Sequence, residues 1–234
     1  MNKPIAVYCL FEQSGTFKKQ FQQLGIAAID VDICDDFGQT DICIDLFREI
    51  ELAYDNQESL FDYMTPDMLV MAFFPCTYFS PNNWLFFQGT SKNFRHKSTR
   101  EITDILIDRA NKRSHFHAII MKLFAICLER DLRLIIENPY KDSYLIKNIP
   151  YTPAVIDLNR RMRGDEYPKP TMYYFINCEP TRLQSIQLDK RKKLIQHHYG
   201  TGLQRSLITS DYARNFICDF ILGRQQSITQ PTLF

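Results

Sequence analysis

Apolar residues recur along this chain with two periods, and the alternation of those periods predicts strands separated by helices. Ile5 to Phe11 is an apolar run of strand length that enters the turn Glu12-Gln13-Ser14-Gly15-Thr16. Phe17, Phe21 and Leu24 then share one helical face, and Gly25 supplies a C-terminal stop. A second strand, Ala27 to Ile33, carries Asp30-Val31-Asp32 near its end. This is a β-α-β unit with an acidic residue at the tip of its second strand, the layout of a doubly wound nucleotide-binding sheet.

The pattern continues through Asp41 to Phe47, a helix near Glu49 to Tyr63, and a strongly apolar strand from Met68 to Phe74 that runs into Pro75-Cys76-Thr77. Such runs suit parallel strands buried on both faces. An aromatic loop with Trp84, Phe86 and Phe87 follows, and then Ser98 with Glu101 opens a long helix in the manner of a capping box. Ile102, Ile105, Phe116, Ile119, Leu123 and Cys127 carry that helix to Glu129, with a break expected near Asn111. Leu132 to Ile136 is a further strand ending at Glu137-Asn138-Pro139. Past it the regularity weakens until the strand Tyr173 to Ile176 and a last amphipathic helix, Asp211 to Leu222. The fold class is therefore α/β, Rossmann-like, a mostly parallel sheet with helices on both faces.

With 234 residues, 45% of them hydrophobic, the chain holds one substantial core, expected over residues 1–222, followed by a flexible tail at 223–234. A formal charge of +1 provides no global field for a polyanion, so any nucleic-acid contact must come from a local patch. Lys190-Arg191-Lys192-Lys193 is the most concentrated basic run, within a short segment at 177–205. Seven cysteines without paired close spacing predict free thiols and no metal site. Neither a leader segment nor a membrane-spanning run is visible, which predicts a cytoplasmic protein.

Three features converge in such a fold: the small-residue turn after strand one, Pro75-Cys76 after a central strand, and Glu137-Asn138-Pro139 after the next. Ligands of open α/β sheets gather at the carboxyl ends of strands, so all three reach one rim. On these residues the chain resembles the DNA cytosine-5 methyltransferases, in particular their compact phage-type members. Leu10 to Phe17 is similar to the family's first S-adenosylmethionine (SAM) turn, with Thr16 where a glycine is common. Asp32 resembles the acid that holds the SAM ribose, and Asp45 one near the adenine. Phe74-Pro75-Cys76-Thr77 resembles the catalytic loop, and Ile136-Glu137-Asn138-Pro139 the Glu-Asn signature. The resemblance implies SAM as cofactor, held by Phe11, Glu12, Ser14, Gly15, Phe17, Asp32, Ile33, Asp45, Phe74 and Pro75, and DNA as partner. It implies Cys76 as nucleophile, Glu137 as its acidic partner, and Arg161 and Arg163 in the role of the family's Gln-x-Arg-x-Arg segment.

About thirty residues separate Ile176 from Arg205, too few for a separate DNA-reading domain. Two alternatives stay open: a SAM-fold protein that binds nucleic acid with altered or lost chemistry, and a methyltransferase of free nucleotides or RNA. Asn138-Pro139-Tyr140 is a poor match to the sites of amine-methylating enzymes and follows the wrong strand. The ending Gln230-Pro231-Thr232-Leu233-Phe234 resembles peptides that dock bacterial sliding clamps, which implies a clamp partner through Gln230, Leu233 and Phe234.

Overall fold

The computed structural model describes residues 2–79, 87–89, 92–140, 144–182 and 207–223. Seven strands form one sheet: β1 (Ala6–Leu10), β2 (Ala27–Asp32), β3 (Ile42–Cys43), β4 (Leu69–Ala72), β5 (Arg133–Pro139), β6 (Val155–Asp157) and β7 (Thr171–Ile176). Their order is β3-β2-β1-β4-β5-β7-β6. The first five are parallel, whereas β7 runs antiparallel to both β5 and β6. The α/β class and mostly parallel sheet expected from the sequence are present.

Helices cover both faces, because the central strands are apolar on both. On one side α1 (Thr16–Gln23) packs with α5 (Ser210–Phe216), and Phe17, Phe21, Tyr212, Phe216 and Phe220 fill the space against Val7, Cys9, Met71 and Tyr173. On the other, α2 (Leu46–Tyr54) packs with α3 (Thr99–Glu129) over Leu10, Val70, Ile136 and Tyr174. A short helix, α4 (Tyr144–Asn148), follows β5. The expected break in α3 near Asn111 is absent; Ser98 and Glu101 cap it reciprocally, and it continues for 31 residues. The expected helix from Glu49 to Tyr63 instead begins at Leu46, where Asp45 caps it, ends at Tyr54, and resumes as a 3-10 turn over Leu60–Tyr63. The last helix changes to π geometry over Ile217–Leu222.

The basic triplet before β7 has a structural task that the sequence pattern did not reveal. A 3-10 turn, Arg160–Arg163, buries its arginines against α5 and its extension. Arg163 bonds Asp157 of β6 at 3.0 Å and the fully buried Asp219, and its guanidinium lies 4.6 Å over the Phe220 ring. Two buried carboxylates hold Arg163 inside the fold, and it does not line the cavity described below. Arg161, 4% exposed in the same turn, likewise stays away from the cavity described below.

Among the described residues no helix is long and apolar enough to cross a membrane, and no cluster of His, Cys, Asp or Glu has the makings of a metal site. All seven cysteines are free. The segment around Lys190 to Lys193 and the residues Gln230, Leu233 and Phe234 lie outside the described residues.

Removing the Arg163 charge leaves two buried carboxylates uncompensated. Arg163→Met is expected to cost about 3–5 kcal/mol in guanidinium denaturation, with a lowered midpoint. A midpoint equal to that of the parent chain would show that the cluster contributes nothing.

Candidate active site

The chain lays β2 and β3 to one side of β1, then crosses to place β4 and β5 on the other. The connections diverge between β1 and β4, and a crevice opens there at the strands' carboxyl ends. A cavity of about 410 Å³ occupies it. Its walls are Phe11, Glu12, Gln13 and Ser14 after β1, residues 73–77 after β4, Glu137 of β5, and Phe37, Arg160, Lys169, Leu207 and Ile208. Of the residues expected at the site, Phe11, Glu12, Ser14, Phe74, Pro75, Cys76 and Glu137 share this cavity.

The turn after β1 is tightly built. Phe11 sits at φ 61, costly for a bulky side chain, while its N–H bonds the Val31 carbonyl at 2.9 Å and its ring meets Phe74 edge-on at 5.1 Å. Gly15 is also left-handed, at φ 63, and a Cβ there would come within 3.1 Å of Gln39, so any side chain at this position is strained and glycine is favoured. Glu12 accepts the Phe17 N–H at 2.8 Å and the Lys18 N–H at 3.4 Å, which closes the N-terminus of α1 that Gly15 cannot cap. Burial raises the Glu12 pKa despite those donors.

Phe17 departs from its expected role. It is fully buried between Phe73 and Phe216, so it is a core residue that fixes the turn from below. Asp45 caps α2 through the Phe47 and Arg48 N–H groups, and lies outside the cavity walls. Asp32 is at the tip of β2, 6% exposed, accepting the Cys34 N–H at 2.9 Å; Ile33 beside it is exposed. Burial raises the Asp32 pKa, against the backbone donors Cys34 and Ile33.

Beneath the turn lies an acidic group. Asp30 is fully buried and neither carboxylate oxygen has a hydrogen-bond partner. Burial first, then the neighbouring Glu12, push its pKa up to about 8, with Lys18 acting in the opposite direction. Lys18 is itself bonded to Asp41 at 3.0 Å and to the Gln39 carbonyl.

Cys76 and Glu137 come from adjacent parallel strands whose register pairs Ala72 with Ile136. Asn138, fully buried, donates from Nδ2 to the Phe74 carbonyl at 3.4 Å and so ties the end of β5 to the loop that carries Cys76. Glu137 is 8% exposed and its Oε1 has no hydrogen-bond partner. Burial raises the Cys76 thiol pKa; Lys169 opposes that shift and Glu137 reinforces it.

Two wall residues carry no signal in the sequence pattern. Lys169 is placed by a bond from the Tyr140 N–H to the Pro170 carbonyl at 3.0 Å and by the pairing of Thr171 with Pro139. Arg160, 1% exposed, is salt-bridged to Asp165 and lies 4.8 Å over the Tyr212 ring, yet its Nη1 has no partner. It is Arg160, rather than Arg161 or Arg163, that lines the cavity. A nucleophile, a carboxyl and two cations in one partly apolar cavity suit addition to a polar ring whose developing charge needs a donor.

The chain matches no known protein-family model and no curated protein.

The Cys76 thiol should titrate through Lys169. In site-resolved alkylation across pH, Lys169→Met is expected to raise the Cys76 midpoint, and Lys169→Arg to restore it. Identical profiles for all three proteins would remove Lys169 from the account.

Asp30 generates a second pH effect. Its folded pKa lies above its unfolded value, so between roughly pH 4 and pH 8 the unfolded chain binds fewer protons and stability falls as pH rises. Asp30→Asn should flatten that slope in denaturant titrations. An unchanged slope would show that Asp30 is ionised in the folded chain.

Proposed function

We propose that this protein is a SAM-dependent methyltransferase that modifies C5 of cytosine in DNA, with Cys76 as nucleophile and Glu137 as proton donor. The observation that carries the reading is the meeting of Cys76 and Glu137, delivered by adjacent strands, in a cavity that also contains the turn after β1. The mostly parallel sheet is consistent with a Rossmann-like methyltransferase fold.

The residues present fit the cofactor. Gly15 and Phe11 hold the backbone of the turn in left-handed geometry, Ser14 and Gln13 border the cavity, and Asp32 stands at the tip of the neighbouring strand. These residues would hold SAM, with Asp32 accepting from ribose hydroxyls. When bound, SAM supplies an electrophilic methyl group.

Cys76 supplies what cytosine lacks. Its thiolate adds to C6, the new S–C6 bond pushes the ring electrons toward N3, and Glu137 delivers a proton there. C5 then carries enamine character and would accept the methyl group that bound SAM supplies, the S–CH3 bond breaking and the cofactor leaving as its thioether. Loss of the C5 proton to a base, with expulsion of the Cys76 thiolate and return of the N3 proton to Glu137, restores the aromatic ring. Arg160 and Lys169 add positive charge around the ring during addition, where negative charge develops. The pocket requires the base to leave the duplex stack, which costs a few kcal/mol.

Incubation of the protein with labelled SAM and mixed-sequence DNA, followed by digestion and mass identification, should yield 5-methylcytosine. Cys76→Ala should abolish product while SAM still binds, and Asp32→Ala should weaken SAM binding about tenfold or more. Methylation by Cys76→Ala, or a product methylated on an exocyclic amine, would refute the thiolate mechanism.

A further inference from the structure

We infer that the N-terminal half of α3, with the 3-10 turn Lys92–Phe94 and residues 95–97 before it, forms the surface that holds the phosphate backbone of duplex DNA beside the active site. This rests on the cytosine methylation reading only in choosing DNA among polyanions.

Charge is the first ground. Residues 92–117 contain seven Lys and Arg against three Asp and Glu, a net +4 in a chain whose total is +1. The remainder sums to −3, so this stretch is a local excess of positive charge among the described residues. Its three acids are already engaged: Glu101 caps the helix with Ser98, Asp104 pairs with Arg100, and Asp108 pairs with Lys112. Lys92, Arg95 and Lys97 are exposed.

Continuity with the active site is the second. Phe116 of α3 packs against the rings of Phe74, Tyr78 and Phe79, the residues flanking Cys76. One turn toward the N-terminus, the Arg113 guanidinium lies 4.2 Å over the Phe87 ring and 4.6 Å over that of Tyr144. A further turn on, Arg109 lies 5.2 Å over Phe94. Arginines and aromatics thus alternate outward from the Cys76 loop to the exposed cations at residues 92–97. From Arg113 to Thr99 the helix rises about 20 Å, close to six base pairs of duplex. Arginine held over aromatic rings is restricted in its motion and so pre-organised for phosphate oxygens, and such interleaving suits nucleic acid better than a protein partner. A surface of this kind gives affinity and orientation without reading sequence.

The test is fluorescence anisotropy of the full chain on a duplex of about 20 base pairs over a range of salt. The triple variant Lys92→Gln, Arg95→Gln, Lys97→Gln changes only exposed side chains, and SAM binding reports that it remains folded. Its affinity should fall at least about tenfold near 0.1 M salt, and its log-log salt slope should shrink by about 0.9 for each phosphate that the variant no longer neutralises. A second variant with Lys190, Arg191, Lys192 and Lys193 changed to Gln should keep most of the slope. The inference fails if the triple variant binds like the parent, if the slope is lost only in the second variant, if the parent does not bind duplex at low salt, or if duplex RNA binds more tightly than DNA. Binding is read without turnover, so a chain that binds DNA here but makes no 5-methylcytosine keeps this inference and loses the functional one.

Discussion

The sheet is buried on both faces, and the position of every polar group follows from that constraint. Strands β1, β4 and β5 present Val7, Leu10, Leu69, Val70, Ile135 and Ile136 to two apolar layers, so side chains that need water or a ligand are excluded from the middle of the sheet. They collect where the strands end. Parallel pairing puts the carboxyl ends of β1, β2, β4 and β5 along one edge, and the divergence between β1 and β4 keeps helices from closing it. The site is a consequence of topology before it is a consequence of any side chain.

Where charge does enter the interior, it is neutralised within a short range. Arg163 bridges carboxylates from β6 and the π segment after α5, and Arg160 pairs with Asp165 while resting on Tyr212. Those interactions fasten the antiparallel end of the sheet to α5, which is why a turn containing three buried arginines is tolerated. Asp30, a buried acid neither of whose oxygens has a donor, departs from this pattern, as does Glu137 at its Oε1. The neighbour of Asp30, Glu12, uses its own oxygens on α1, so the turn beside the cavity is stabilised by one carboxylate and loaded by another.

The parts of the fold with long-range periodicity were legible in the sequence. Strands β1, β2, β4 and β5, helix α1 and the Ser98–Glu101 cap all follow from local pattern, as does the convergence of Cys76 and Glu137 on one cavity. Short elements were not. Strand β3 has two residues and β6 three, and neither is long enough to show an alternation. The arginine turn misled for a different reason: residue type is visible in a sequence, but the buried acids Asp157 and Asp219 that hold Arg163 are 6 and 56 positions away. Lys169 gave no signal because its place depends on β7 running antiparallel to β5, which brings Thr171 against Pro139. Phe17 was assigned to the cofactor turn by adjacency, although one helical position sufficed to aim it into the core.

The proposed DNA substrate is a polyanion, and a near-neutral chain needs a local means of holding it. Coulomb energy near a surface depends on charges within about a Debye length, so a net charge of +1 says little once the charges are sorted in space. Here the sorting is done by α3, which outlasts the sheet it covers. Its C-terminal part, with Ile119, Leu123 and Cys127, is an apolar strut against the core, and the part toward Thr99 is left to solvent with its cations. The same rigid element thus connects the rings flanking Cys76 to the basic stretch, through Phe116 and then Arg113. A phosphate backbone gripped along that helix would be held in fixed register to the cavity, because one continuous helix carries both Arg109 and the Phe116 that packs beside Cys76. Contacts to phosphate position a duplex but do not read it, so under the proposed activity any preference among cytosines would come from outside this surface, as from the cavity or from the ease with which a base leaves the stack.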